Sequence, residues 1–82
     1  METRINEVSK SACGSTWVDA TCNKTSAWVA IGNHGVQVCT KNAAHKVWRG
    51  MGKRFDSKET AIANYKSAEM KAIIETAFAQ VQ

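Results

Sequence analysis

Two short breaks set what this chain can fold into. Asn23-Lys24 separates Thr16–Cys22 from Thr25–Ile31, and Gly32-Asn33-His34-Gly35 separates the latter from Val36–Thr40. The segments between the breaks are rich in Val, Ile, Thr and Trp, the residues that fit a pleated surface. Connections this short cannot cross over a sheet, so consecutive strands must be antiparallel neighbours. Glycine at 32 and 35 tolerates the positive φ of a tight turn. Lys41 to Ala44 then reads as a further turn and His45 to Met51 as a fourth strand, which Gly50 and Gly52 interrupt.

Alternation assigns faces. Val29, Ile31, Val36, Val38 and Val47 share one side of the sheet, and Trp28, Ala30, Lys46 and Trp48 fall on the other. Residues 57–79 contain neither Gly nor Pro and are rich in alanine, which predicts a single C-terminal helix. Asp56 and Glu59 have capping-box spacing, and Phe55 precedes the cap where it can pack on the first turn. Ala61, Tyr65, Ala68 and Ala72 form the stripe expected to face the sheet, flanked by Ile62 and Ile73. Met70, Ile74, Ala77 and Val81 lie on nearly the opposite side. Either the helix bends or the N-terminal segment covers them, or Met70, Ile74 and Phe78 form a partner or homodimer surface.

The expected fold is therefore α+β: an antiparallel sheet of three or four strands packed on one C-terminal helix. The 82 residues make one domain, 1–82, with 1–12 as a flexible arm or an edge segment. A chain this short buries only about 60–65% of its unfolded surface, which leaves little interior for a deep catalytic cavity. No apolar run approaches the roughly 20 residues that span a bilayer. Met1 to Lys10 has no apolar core and does not read as a secretion signal. Three cysteines, Cys13, Cys22 and Cys39, are an odd set that points to reduced thiols and a cytoplasmic location, the host cytoplasm for a phage-encoded chain.

Charge is segregated along the sequence. Lys41, Lys46, Arg49, Lys53, Arg54 and Lys58 fall in one stretch with a single acid, Asp56; the other residues hold five basic groups against six acidic ones. A local excess of cations predicts a partner of opposite sign. Trp48 lies between Lys46 and Arg49, and a cation–aromatic mixture suits either a polyanion with stackable bases or an acidic protein surface. Trp17 and Trp28 are expected in the core, since large rings dominate burial energy in small domains. His34, Cys39 and His45 are the nearest approach to a metal-ligand set, but close pairs are lacking, so neither a metal nor another cofactor is expected. Cys39 with His34 or His45 has no orienting acid nearby, and no closely spaced carboxylate pair exists, so no enzymatic activity is expected.

Phe55-Asp56-Ser57-Lys58-Glu59-Thr60-Ala61, continued by Tyr65 and Ala68, resembles the helix of the plant ethylene-response-factor DNA-binding domain. Lys46-Val47-Trp48-Arg49-Gly50 resembles that family's last strand and Trp28-Val29-Ala30-Ile31 its middle one. The arm-binding domain of tyrosine-type phage integrases is similar in outline. The resemblance covers about half the chain and implies a three-stranded sheet, backed by one helix, that lies in the major groove. The chain departs from the pattern in its first strand, where Asp19 stands and arginines are absent, and in an extra strand around Val36. Lys41, Lys46, Trp48, Arg49, Lys53, Arg54 and Lys58 are the expected contacts of a nucleic-acid-binding module. Small phage-encoded inhibitors, such as anti-CRISPR or host-takeover factors, are also similar in outline, and imply docking on a host protein or blocking its nucleic-acid site.

Overall fold

The computed structural model describes residues 2–12, 14–33, 35–42, 47–48 and 52–81, with the backbone alone at 41, 42, 47 and 48. Its elements are β1 (Thr3–Lys10), β2 (Thr16–Cys22), β3 (Thr25–Gly32), β4 (Gly35–Asn42), β5 (Val47–Trp48), β6 (Lys53–Phe55), α1 (Lys58–Asn64) and α2 (Ala68–Ala79). All pairings are antiparallel, in the order β1-β2-β3-β4-β5, with β6 also on β4. The α+β class holds, and strands β2 to β4 form where the breaks placed them.

The hairpins follow from local chemistry. Asn23 takes a φ of 56°, a left-handed conformation that asparagine tolerates, and closes the two-residue loop between β2 and β3. Gly35 takes a φ of +118° next to the β3–β4 loop, and a Cβ there would stand 2.5 Å from the Phe55 carbonyl oxygen. Glycine lets β6 lie against the start of β4 at that point.

One open alternative is decided and two expectations change. Of the arm and the edge segment, the first residues form the edge strand: β1 pairs with β2 along Thr3–Lys10, with a shift in register between Ile5 and Glu7. Its polar composition is that of an edge that must resist pairing with other chains, and the bulge serves the same end. The strand after β4 is divided. β5 pairs with Lys41 and Asn42, β6 with Val36 to Val38, both on the edge of β4 that β3 leaves open. The rest of the predicted His45–Met51 strand lies outside the described residues.

The helix is also divided. Tyr65 is extended, with φ −103° and ψ 134°, and ends α1; Ser67 then caps α2 by accepting from the Met70 amide at 3.3 Å. The N-cap of α1 is Ser57, which accepts from the Thr60 amide at 3.2 Å, so the cap falls one residue after Asp56. The break re-aims the second half. Met70 (4% exposed), Ile73, Ile74 and Ala77 of α2 are buried against Val18, Ala20, Cys22, Ala27, Val29, Val38 and Phe55. Met70 and Ile74 are thus core residues and cannot form a partner surface; Phe78 is half-buried against the same cluster. Ala68, expected inside, is exposed. Alanines at 20 and 27 leave room for α2 to approach the sheet, and burial of this apolar set is the main stabilising term. Among the described residues no helix is long and apolar enough to cross a membrane.

Candidate functional site: the open face of the sheet

Both helices cover one face of the sheet, and among the described residues no helix covers the other, although Ser26, Ala30 and Cys39 on it are buried. The strand registers arrange it in rows. Ser9, Trp17, Ala30, Gln37 and Arg54 form one row across β1, β2, β3, β4 and β6. Glu7, Asp19, Trp28 and Cys39 form the next. Arg4, Thr21, Ser26, Lys41 and Trp48 stand in register in the third.

The aromatic feature is a diagonal pair. The Trp17 and Trp28 rings lie 4.7 Å apart between centroids at a tilt of 38°. Trp17 is 37% exposed. Neither ring joins the core, contrary to the expectation that both were buried there. The parity of Trp28 with Ala30 already placed it on this side; Trp17, one residue before the buried Val18, follows the same rule. Cys39 sits opposite Trp28 and is 1% exposed, with its thiol 3.7 Å from the Thr40 carbonyl oxygen. Cys22 is a buried free thiol.

A polar ladder ties three strands at one end. Asn6 Nδ2 donates to Thr21 Oγ1 at 2.8 Å and to Asp19 Oδ1 at 3.4 Å, and the Thr21 and Ser26 hydroxyls are 2.7 Å apart. These bonds satisfy Ser26, which is nearly buried.

The expected cationic set is divided among the described residues. Arg54 is exposed and lines a hollow on the open face with Trp17, Ala30 and Gln37. Lys53 ends the row of Val18, Val29 and Val38 on the helix side, and its Nζ donates to Asn64 Oδ1 at 3.1 Å while lying 5.9 Å from the Phe55 ring centroid. Lys58, half-buried, sits 5.8 Å from the centroid of Phe78. Thus Arg54 shares a face with the tryptophans and Lys53 and Lys58 flank the helices. Lys46 and Arg49 lie outside the described residues, as do the side chains of Lys41 and Trp48. Cys13, His34 and His45 lie outside them too; within them no group of three or more His, Cys, Asp or Glu could hold a metal ion.

Two groups away from this face have shifted acidities. Glu69 is held below the usual glutamate range by hydrogen bonds from its own backbone amide, the Ser67 hydroxyl and the Asn23 amide. Burial pushes the Tyr65 phenol up, and the negative charge of a Cys39 thiolate adds to the effect.

What the arrangement offers is adsorption of a flat or elongated partner. Among the described residues it has aromatic rings, the two guanidiniums of Arg4 and Arg54 and two carboxylates on a broad surface, and no convergent nucleophile and base. No protein-family profile, curated protein or solved structure matches the chain.

Proposed function

We propose that the chain is a non-catalytic nucleic-acid-binding module that presents the β4–β6 side of its open face to the phosphate backbone. The observation that carries this reading is that Arg54 and Trp17 line one hollow on a sheet face that neither helix covers. A guanidinium and a partly exposed indole on one hollow offer phosphate contact and a stacking platform, the two elements of sequence-tolerant binding. Of the cation-rich stretch, Lys41 of β4 also stands in a row of this face, in register opposite Trp48 of β5. The resemblance to the ethylene-response-factor domain points the same way, because there too the sheet is the reading surface. The acidic groups do not oppose it. Asp19 on β2 is three strand spacings from Arg54, ~14 Å, beyond the ~8 Å over which charges are felt at physiological salt.

The test is fluorescence anisotropy of a labelled random duplex and of a single strand across a salt series. Each phosphate contact adds about −0.9 to the log–log slope. No measurable binding at low salt, or affinity indifferent to salt, sinks the reading and leaves the rival: an inhibitor that docks its cationic edge on an acidic host protein.

A further inference from the structure

The β1–β2 side of the open face has the opposite chemistry, and it lies apart from Arg54. Glu7 stands directly opposite Asp19 in the β1–β2 register, and both belong to the open face. Like charges opposed across a ladder destabilise a sheet. Among the described residues neither carboxylate forms an ion pair, although Arg4 stands in the next row of the same face, and their one polar tie is the Asn6 amide to Asp19 at 3.4 Å. Asp19 is in turn opposite Trp28, and Trp28 lies against Trp17. The two carboxylates and the two indoles bound a hollow completed by Ser9 and Val18. Its volume, about 160 Å³, is below the roughly 300–1,000 Å³ of pockets that enclose small-molecule ligands, and matches one side-chain head group.

We propose that this hollow is a docking site for a cationic side chain, arginine or lysine, presented by an exposed segment of a partner protein. The occupant follows from charge complementarity. One guanidinium or ammonium there neutralises both carboxylates through charge-assisted hydrogen bonds and lies against an indole face. The partly exposed Trp17 at the rim supplies the aromatic anchor on which protein interfaces concentrate their energy. A phosphate backbone meets repulsion at these two carboxylates, which set the site off from the nucleic-acid edge, with Trp17 common to both. A protein that held both partners would bridge a nucleic acid and a basic protein segment.

The experiment is a proton–nitrogen NMR titration of the full chain with three probes at constant ionic strength. They are an acetylated peptide of alternating glycine and arginine, its glutamate counterpart, and a short oligonucleotide. The arginine peptide moves the indole N–H signals of Trp17 and Trp28 and the amides of Glu7 and Asp19; the glutamate peptide does not. The double variant Glu7→Gln, Asp19→Asn weakens that binding at least tenfold. It relieves a repulsion, so its spectrum stays dispersed. Three results overturn the proposal: no movement of these signals with the arginine peptide, undiminished binding by the double variant, or movement of the Glu7 and Asp19 amides by the oligonucleotide alone. Binding of the oligonucleotide at Arg54 is read from other signals, so either idea can fail without the other.

Discussion

Trp17 lies diagonally across β2 and β3 from Trp28, ring against ring, on the side of the sheet that faces away from both helices. In a domain this small, two large rings outside the core are a cost in buried apolar area that packing has not recovered. The pair itself contributes about 0.5–1.5 kcal/mol beyond area burial. Trp17→Ala should therefore destabilise the fold by about 1–2 kcal/mol in urea titration, well below the ~3–5 kcal/mol of a core aromatic truncation. A loss in the core range shows that Trp17 is structural after all.

Ile74 is fully buried between α2 and the sheet, so Ile74→Ala leaves a cavity and costs about 3 kcal/mol. A domain of this size has roughly 4–12 kcal/mol to lose. The expected result is a large drop in the urea midpoint with sedimentation unchanged while the protein remains folded. A variant that keeps the midpoint but alters the sedimentation coefficient places Ile74 at an interface between copies.

The sheet was readable because its turns were. Two short breaks and strict alternation located three strands and the inner face of Val29, Ile31, Val36 and Val38. β1 was not, because its apolar residues are few and the shift in register after Ile5 disrupts the alternation that identifies a strand. The break between α1 and α2 leaves no Gly or Pro to mark it; it rests on the Ser67 hydroxyl holding the Met70 amide. Without that break, Met70 and Ile74 fall on the wrong side of a continuous helix. At the site, the parity of Trp28 was legible. Trp17 obeys the same parity, but the burial preference of a large ring argued against it. The juxtaposition of Glu7 and Asp19 needs the register itself, which no local pattern contains.

Gly35 and Gly14 separate two reasons for glycine. Both have positive φ, +118° and +91°, but a Cβ at 14 meets nothing within 4 Å, whereas one at 35 meets the Phe55 carbonyl oxygen at 2.5 Å. Gly14→Ala should cost only conformational strain, about 1 kcal/mol. Gly35→Ala must also push β6 off β4, and should cost at least ~2 kcal/mol more, with exchange protection lost at Lys53 to Phe55. Equal losses at the two positions contradict the close approach of β6.

Glu69 joins the cap of α2 to the β2–β3 hairpin through Ser67 and Asn23. Its acidity is raised on folding, so its stabilising effect is fully present above the ordinary glutamate range and disappears as pH falls through its lowered folded value. A carbon-detected titration of the side-chain carboxyl should place its midpoint below those of exposed glutamates. Ser67→Ala should move that midpoint upward and cost about 1 kcal/mol as a lost N-cap. A midpoint unchanged by Ser67→Ala removes the hydroxyl as the cause.

Arg54 and Asp19 make opposite predictions on one sheet face. If the β4–β6 edge holds phosphates, Arg54→Ala should weaken duplex binding about 3- to 10-fold and reduce the salt slope by about 1. Glu7→Gln with Asp19→Asn removes two negative charges but at ~14 Å or more from Arg54, so duplex affinity at physiological salt should change by less than about twofold. Side-by-side anisotropy titrations of these variants measure both. Equal tightening from carboxylate removal and loosening from Arg54→Ala means that the duplex covers the whole face, and a single broad electrostatic surface then replaces the two-sided arrangement.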